Sequence, residues 1–441
     1  MIDILVLSVG ASSDPLEQCI KRVRPRRVVY ICSQDTLSQV DKIHQNTQIS
    51  GFDPDCDILI LLQSAIDNDS ASEIDQLDLV YERCRNLFDR LLVEKPGAKI
   101  QVDYTGGTKT MTSGLALAAI DDGRVEISVM TQENRKVGER SIHGISRPKQ
   151  INSGSIHFIR LIKNTLDPLL RRFDYAAAQD YVSTVISMKQ ENDVEKYLNS
   201  LTDKLQAFDA WDRWDLDTAF ELLKNDSKKE NKNNSVLSTI KRIRWSRDLL
   251  NQEQNKEKNA NLLKNGDIYG LEAVEDLLLN AKRRALQERF DDAVGRLYRS
   301  MELTAQLILQ IDYNGIRTSN IELDLLPEHL KDKYSKKRNS EKNRIEIALA
   351  ASFDLLADLN SPEGLKWKTH RGEFVSALDI RNNSILAHGF KPITCTKWQQ
   401  IDNLLGNYLR NILDNRRKEL PVLCQFPDNL RLLDVLPEQT N

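Results

Sequence analysis

Five continuous apolar runs, separated by helix-patterned stretches, fill the first 150 residues and constrain the fold more than any other feature. They are Ile2–Gly10, Arg26–Ser33, Cys56–Gln63, Ala98–Gly107 and Arg124–Met130. Each has strand length and is apolar throughout rather than at every second position, the pattern of strands covered on both faces. Between them, Pro15–Val23 and Leu77–Glu94 space their apolar residues by three and four, the period of a helix. The stretch after Gly107, "TKTMTSGLALAAID", reads the same way. Strands alternating with helices need crossover connections and therefore form a parallel sheet. The expected architecture of residues 1–154 is a doubly wound α/β domain.

From about Ser155 the character changes to packed helices, so the fold class is α/β plus all-α. Residues 155–270 read as a helical connecting region. Within it, about 225–266 reads as an exposed polar insertion around one short basic helix, Val236–Leu250. There Arg242, Arg244 and Arg247 belong either to a solvated face or to a contact with RNA. Residues 271–441 are helical again. Phe290, Val294, Leu297, Met301, Ala305 and Ile308 make a core-facing stripe. The net charge of −3 excludes a globally basic nucleic-acid binder, so any such contact is a local patch. The six cysteines include no CxxC pair, and the N-terminal run lacks a basic leader and is too short to cross a bilayer. This predicts a cytoplasmic chain without a membrane partner, its thiols reduced and mostly buried, with no readable metal site.

The strand at Ala98 runs into "DYTGGTKTMTSG", Asp103–Gly114. A P-loop needs GxxxxGK[ST], but Thr108 separates Gly107 from Lys109, and Val102 stands where the upstream glycine belongs. After the first strand, "GASSDP" stands in place of GxGxxG, which excludes an ordinary dinucleotide site. What remains is a strand-to-helix turn in an open α/β sheet, where ligand crevices form and a helix N-terminus offers free N–H groups. Gly106 and Gly107 permit close backbone approach, Thr105 and Thr108 add hydroxyls, and Lys109 adds a positive charge. The stretch "SVGASSDP", Ser8–Pro15, at the end of the first strand, supplies a second wall. The set suits phosphates held without Mg²⁺; the competing reading is a tight turn with an N-cap.

A second constellation is "LDIRNNSILAHGF", Leu378–Phe390. On a helix, Arg381 and His388 would lie about 20° apart in azimuth and roughly 10 Å apart along the axis, with Gly389 closing the helix. A histidine titrating near neutrality serves as general acid or base, and an arginine stabilises a pentacoordinate phosphate. The pair suits metal-independent RNA cleavage, in which a 2′-OH attacks the adjacent phosphate. An arginine and a histidine seven apart also occur on ordinary polar helix faces.

Together the two stretches resemble a known family. "DYTGGTKTMTSG" resembles the signature of CARF domains, Rossmann-like sensors of cyclic oligoadenylates. "RNNSILAHG" resembles the R-x(4–6)-H motif of HEPN ribonucleases, and "RFDDAVGRLYRSMELTAQ" is similar to the helix that precedes it in CRISPR-associated CARF–HEPN proteins. The order matches the ancillary ribonucleases of type III CRISPR systems, which act in antiviral defence. The resemblance implies that a homodimer binds a cyclic oligoadenylate as allosteric activator and then degrades single-stranded RNA, with no other cofactor. It places ring binding on Thr105, Gly106, Gly107, Thr108 and Lys109, with Gly10, Ala11, Ser12 and Ser13 beside them. It places catalysis on Arg381 and His388, with Asn382 positioning. Glu302 is read either as an orienting carboxylate or as a solvated charge. The alternative function is a cyclic-nucleotide sensor that regulates a partner through a non-catalytic HEPN dimer. Cleavage of the ring by the CARF domain itself stays open.

Overall fold

The computed structural model describes residues 2–49, 51, 53–61, 75–132, 146–188, 191–230, 235–250, 261–385 and 389–433. The chain forms two compact units. One holds residues 1–163 and 183–196, the other 164–182 and 197–441.

The first unit is built on a six-stranded sheet of order β3-β2-β1-β4-β5-β6. Its elements are β1 (Ile4–Ser8), α1 (Asp14–Val23), β2 (Arg27–Ser33), α2 (Leu37–Ile49), β3 (Asp55–Leu61), α3 (Leu77–Glu94), β4 (Ile100–Asp103), α4 (Lys109–Asp122), β5 (Glu126–Gln132), β6 (Ser146–Ile151) and α5 (Ser153–Arg160). Strands β1 to β5 pair in parallel, and β6 closes the sheet antiparallel to β5. Leu5, Leu7, Val28 and Tyr30 pack against Leu16, Ile20, Val40 and Ile43 of α1 and α2. Ile4, Val6, Val29 and Val102 face the other way, onto Val80, Cys84, Met111 and Leu115 of α3 and α4. Strands β1, β2 and β4 are thus buried on both faces, whereas β3, at the sheet edge, leaves Ile58 and Ile60 exposed, contrary to the expectation for a continuous apolar run.

Two elements were not anticipated. Helix α2 carries only Val40, Ile43 and Thr47 as buried spacing in an otherwise polar stretch. Strand β6, "SRPKQI", has neither apolar run nor alternation. It is held by register to β5, with Pro148 opposite Met130, and tolerates a proline because it is an edge strand.

The second unit is helical: α6 (Leu166–Arg171), α7 (Tyr175–Ile186), α8 (Asn192–Asp212), α9 (Leu216–Glu230), α10 (Ser235–Asp248), α11 (Glu272–Leu286), α12 (Phe290–Asp312), α13 (Glu328–Ser335), α14 (Leu349–Asp358), α15 (Pro362–Thr369), α16 (Arg371–Asn382), α17 (Cys395–Ile401) and α18 (Asn407–Arg417). The chain passes between the units within α7 and α8. Helix α12 is central. Its expected stripe is buried from Val294 to Ile308, Phe290 is half-buried, and Ser300, Leu303, Thr304 and Leu307 widen the buried face. Helices α11, α14, α16 and α17 pack around it.

Helix α10 differs from the expected exposed insertion. Ile240 and Ile243 are fully buried, and Arg242 is buried in an ion pair with Glu272 at 3.4 Å. Arg244 and Arg247 pair with Asp217 at 2.7 and 3.2 Å, and Arg244 lies 4.3 Å above the Phe220 ring. Val236, Ile240 and Ile243 fall on one face, which is enough to dock the helix. The polar segments 231–234 and 251–260 that flank it lie outside the described residues. The cysteines also depart from expectation. All six are free, with Cys19, Cys32 and Cys84 buried but Cys56, Cys395 and Cys424 exposed. Among the described residues no helix is long and apolar enough to cross a membrane.

Candidate functional site

In the α/β unit the sheet order turns at β1 and β4. From β1 the chain moves through α1 to β2 on one side, and from β4 it moves through α4 to β5 on the other. A crevice opens at the carboxyl ends of two such strands because their connections leave in opposite directions. Both predicted loops sit at this point. A Cβ on Gly10 would fall 2.7 Å from the Gly107 nitrogen, and one on Gly106 would fall 2.5 Å from the Ser8 carbonyl oxygen. The Ser8 hydroxyl donates to the Gly106 carbonyl. The two loops are therefore in backbone contact, which side chains at these glycines would prevent. Gly107 also has φ +107°, outside the range of other residues.

The threonines divide their work. Thr105 is turned inward: its Oγ1 accepts from the Met130 amide at 2.7 Å, and its hydroxyl donates to Asp103. It thus holds the loop to β5, contrary to the expectation that it offers a hydroxyl to a ligand. Thr108 is exposed and is the N-cap of α4, where its Oγ1 accepts from the Met111 amide at 3.2 Å. Lys109, Ala11 and Ser12 are exposed, Gly10, Gly106 and Gly107 half-buried, and Ser13 buried.

Asp103 was not singled out beforehand, although it opens the quoted stretch. It is fully buried and gathers the loop around itself. The Thr105 amide donates to Oδ1 at 3.0 Å, Ser128 Oγ to Oδ2 at 3.0 Å, and the Cys19 thiol also donates. Burial pushes its carboxyl above the usual aspartate range despite these donors, and burial and then Asp103 push up the Cys19 thiol. One carboxylate thereby ties α1, β4, β5 and the glycine turn together.

In the helical unit, α16 buries Phe374, Ala377 and Leu378, and Arg381 continues the face of Phe374 one heptad later. This brings the Arg381 guanidinium 4.7 Å above the ring of Tyr298 on α12. The expected helix toward His388 stops early among the described residues, because α16 ends at Asn382 and residues 383–385 are not helical. Asn382, Asn383 and Ser384 are poor helix formers whose side chains compete for backbone partners. Asn383 Nδ2 takes the Asp379 carbonyl at 2.9 Å, and the Gly389 amide returns to the Ser384 carbonyl at 3.1 Å. A Cβ on Gly389 would lie 2.0 Å from the Asn383 carbonyl oxygen, so Gly389 serves a close chain return rather than the helix cap expected of it. The two-turn helical spacing of Arg381 and His388 is withdrawn with the helix; His388 itself lies outside the described residues. Asn382 stays beside Arg381, with its Nδ2 3.4 Å from Asp379. Glu302 pairs with Arg299 at 2.6 Å rather than with Arg381.

Arg381 and Ser384 open onto a cleft of about 480 Å³ bordered by α12 and the C-terminal ends of α8 and α10. Arg213, Arg247, Arg296 and Arg299 line it, as do Trp214 and the aspartates 212, 291 and 292. Asp212 is buried and accepts from Arg283 at 2.7 Å, from Arg284 and from Asn280 at 3.1 Å. These lining residues are scattered over 170 positions and share no local motif, so the sequence offered no signal for them.

Comparison with known proteins bears on part of the helical unit. Residues 261–412 match the model of the Csm6 HEPN domain. No curated protein sequence matches the chain. Among solved structures, Enterococcus italicus Csm6 bound to cyclic hexa-2′-fluoro-hexa-dAMP is similar over 99% of this chain and 100% of that one, at 14% identity and a TM-score of 0.59. Can2 from Sulfobacillus thermosulfidooxidans in complex with cyclic tetra-adenylate covers 51% of this chain and 68% of its own, at 12% identity and a TM-score of 0.24. The Csm6 likeness extends to the fold of the whole chain, α/β unit included. Arg381 lies within the residues that match the Csm6 HEPN domain.

Proposed function

We propose that the chain is a cyclic-oligoadenylate-activated, metal-independent endoribonuclease of CRISPR antiviral defence that degrades single-stranded RNA as a homodimer. The observation that carries this reading is the Csm6 HEPN match over residues 261–412, with Arg381 inside it on a cleft rich in arginines. In this reading residues 1–154 sense the ring, 155–270 connect, and 271–441 cut. The switch-point crevice supports the first assignment: two loops in backbone contact leave Thr108 and Lys109 exposed at a helix N-terminus, a setting suited to anions. A ring with rotational symmetry is met naturally by two identical crevices across a two-fold axis. The Enterococcus italicus Csm6 structure holds a six-membered ring analogue, so cyclic hexa-adenylate is the first activator to try.

Chemically, His388 takes the proton from the 2′-OH, whose oxygen attacks the neighbouring phosphorus. The P–O5′ bond breaks, the leaving oxygen regains a proton, and a 2′,3′-cyclic phosphate and a 5′-OH result. Arg381 neutralises the charge on the pentacoordinate phosphate, and Asn382 helps to position it. His388→Ala and Arg381→Ala should each lower kcat by about 10²-fold or more while ring affinity, read by calorimetry, stays at the wild-type value. Undiminished cleavage by His388→Ala would sink the assignment.

A further inference from the structure

The cleft beside Arg381 does not end there. A second hollow of about 480 Å³ shares Asp212, Arg213, Asp292 and Arg296 with it, so the two form one groove. Eight arginines and five aspartates line the pair, without a single lysine, in a chain whose net charge is −3. Guanidinium is the cation whose planar fork fits phosphate oxygens two at a time. Much of the groove, including Arg213 and Trp214, lies outside the residues that match the HEPN model.

Two features of the groove are unfavourable in the free protein. Arg296 sits where the hollows meet, and its carboxylate partner, Asp292, is 4.0 Å away. Burial first, and then the charge of Arg284, hold its guanidinium below the usual arginine range. Trp214 is half-buried on the same wall, and its buried indole N–H has no acceptor among the described residues. An arginine with a distant carboxylate partner and a half-exposed aromatic face in one cleft both suit a ligand with phosphates and flat rings. Single-stranded RNA offers both, since its unpaired bases stack on aromatic side chains and its backbone carries one charge per residue.

We infer that this groove is the track of the substrate strand. Arg213, Arg296 and Arg299 hold consecutive phosphates on the way to Arg381, and Trp214 takes a base against its ring. The inference rests on the ribonuclease reading given above, because it takes RNA as the substrate.

The test uses the full chain carrying His388→Ala, with ring present, and reads binding of a fluorescein-labelled single-stranded RNA by anisotropy over a salt series. Adding Arg296→Ala should weaken binding about 10-fold or more and reduce the salt slope by about 0.7, the value of one single-strand phosphate contact. Adding Trp214→Ala should weaken binding about 5-fold to 100-fold with the slope unchanged, as loss of one stacked base would. Arg296→Ala should also leave the melting temperature of the RNA-free protein unchanged or raised, because the cation it removes is crowded by others. Should the His388→Ala chain bind RNA while both added substitutions leave affinity and slope untouched, the track is wrong and the ribonuclease reading stands. Failure of the His388→Ala chain to bind any RNA overturns both. Normal RNA binding by variants that dissociate the dimer in sedimentation overturns the track in favour of a contact between copies.

Discussion

Lys109 and Gly106 stand three residues apart in the same turn and act by different physics. Lys109 is exposed and supports no packing, so Lys109→Ala should weaken ring binding in calorimetry about 10-fold, the scale of one charge-assisted hydrogen bond, with no change in melting temperature. Gly106→Ala places a methyl 2.5 Å from a backbone oxygen that cannot step aside. It should both weaken ring binding and cost about 1–3 kcal/mol of stability. Equal ring affinity in Lys109→Ala would remove that lysine from the site. The sequence made both residues visible because they are adjacent and chemically unusual. It mis-assigned Thr105, whose neighbours Met130 and Asp103 are fixed only once β4 and β5 pair. It passed over Asp103 because an acid at a strand end looks solvated until α1 and β5 close over it.

At the scale of elements, legibility followed the amount of buried apolar surface in a continuous segment. Helix α3 matches its expected bounds, Leu77–Glu94, because 18 residues repeat one period. The end of α16 was misplaced by six residues because "NNSILAH" keeps a helical spacing while its asparagines bond locally instead. Helix α10 was read as solvated because it carries three arginines between polar flanks, yet Glu272 and Asp217 neutralise them. Helix α11 carries a further consequence. Its Asp276 is buried against the Trp211 indole, 3.2 Å away, and burial pushes its carboxyl up to about 6. The folded state therefore holds this proton more tightly than the unfolded chain. Stability from this group is present below the ordinary aspartate range and is lost as pH rises from about 4 to about 6. Asp276→Asn keeps an acceptor for Trp211 and removes the titration. Urea denaturation at pH 4.5 and pH 7 should show the variant gaining on the wild type by about 2 kcal/mol at the higher pH. Parallel stability curves for the two proteins would contradict the assignment.

For the whole molecule, the order of the two architectures was legible because their hydrophobic periods differ, strand runs before Ser155 and helix spacing after it. The groove was not, because Arg213, Arg296 and Arg381 come together only when α8, α12 and α16 pack. The return of Ser183–Lys196 to the first unit was equally invisible, since helix periodicity says nothing about which core a helix joins. Gly106 and Arg381 belong to different units, so the proposed activation requires a coupling free energy between the proposed ring and cleavage sites, typically about 1–3 kcal/mol per binding event. The most direct measurement is cleavage of a fluorescent single-stranded RNA in EDTA, with no ring and with cyclic tri-, tetra- or hexa-adenylate. The account predicts cleavage that rises at least about 10-fold with one ring and is lost in His388→Ala; absence of cleavage with every ring, or equal cleavage without any, would contradict it.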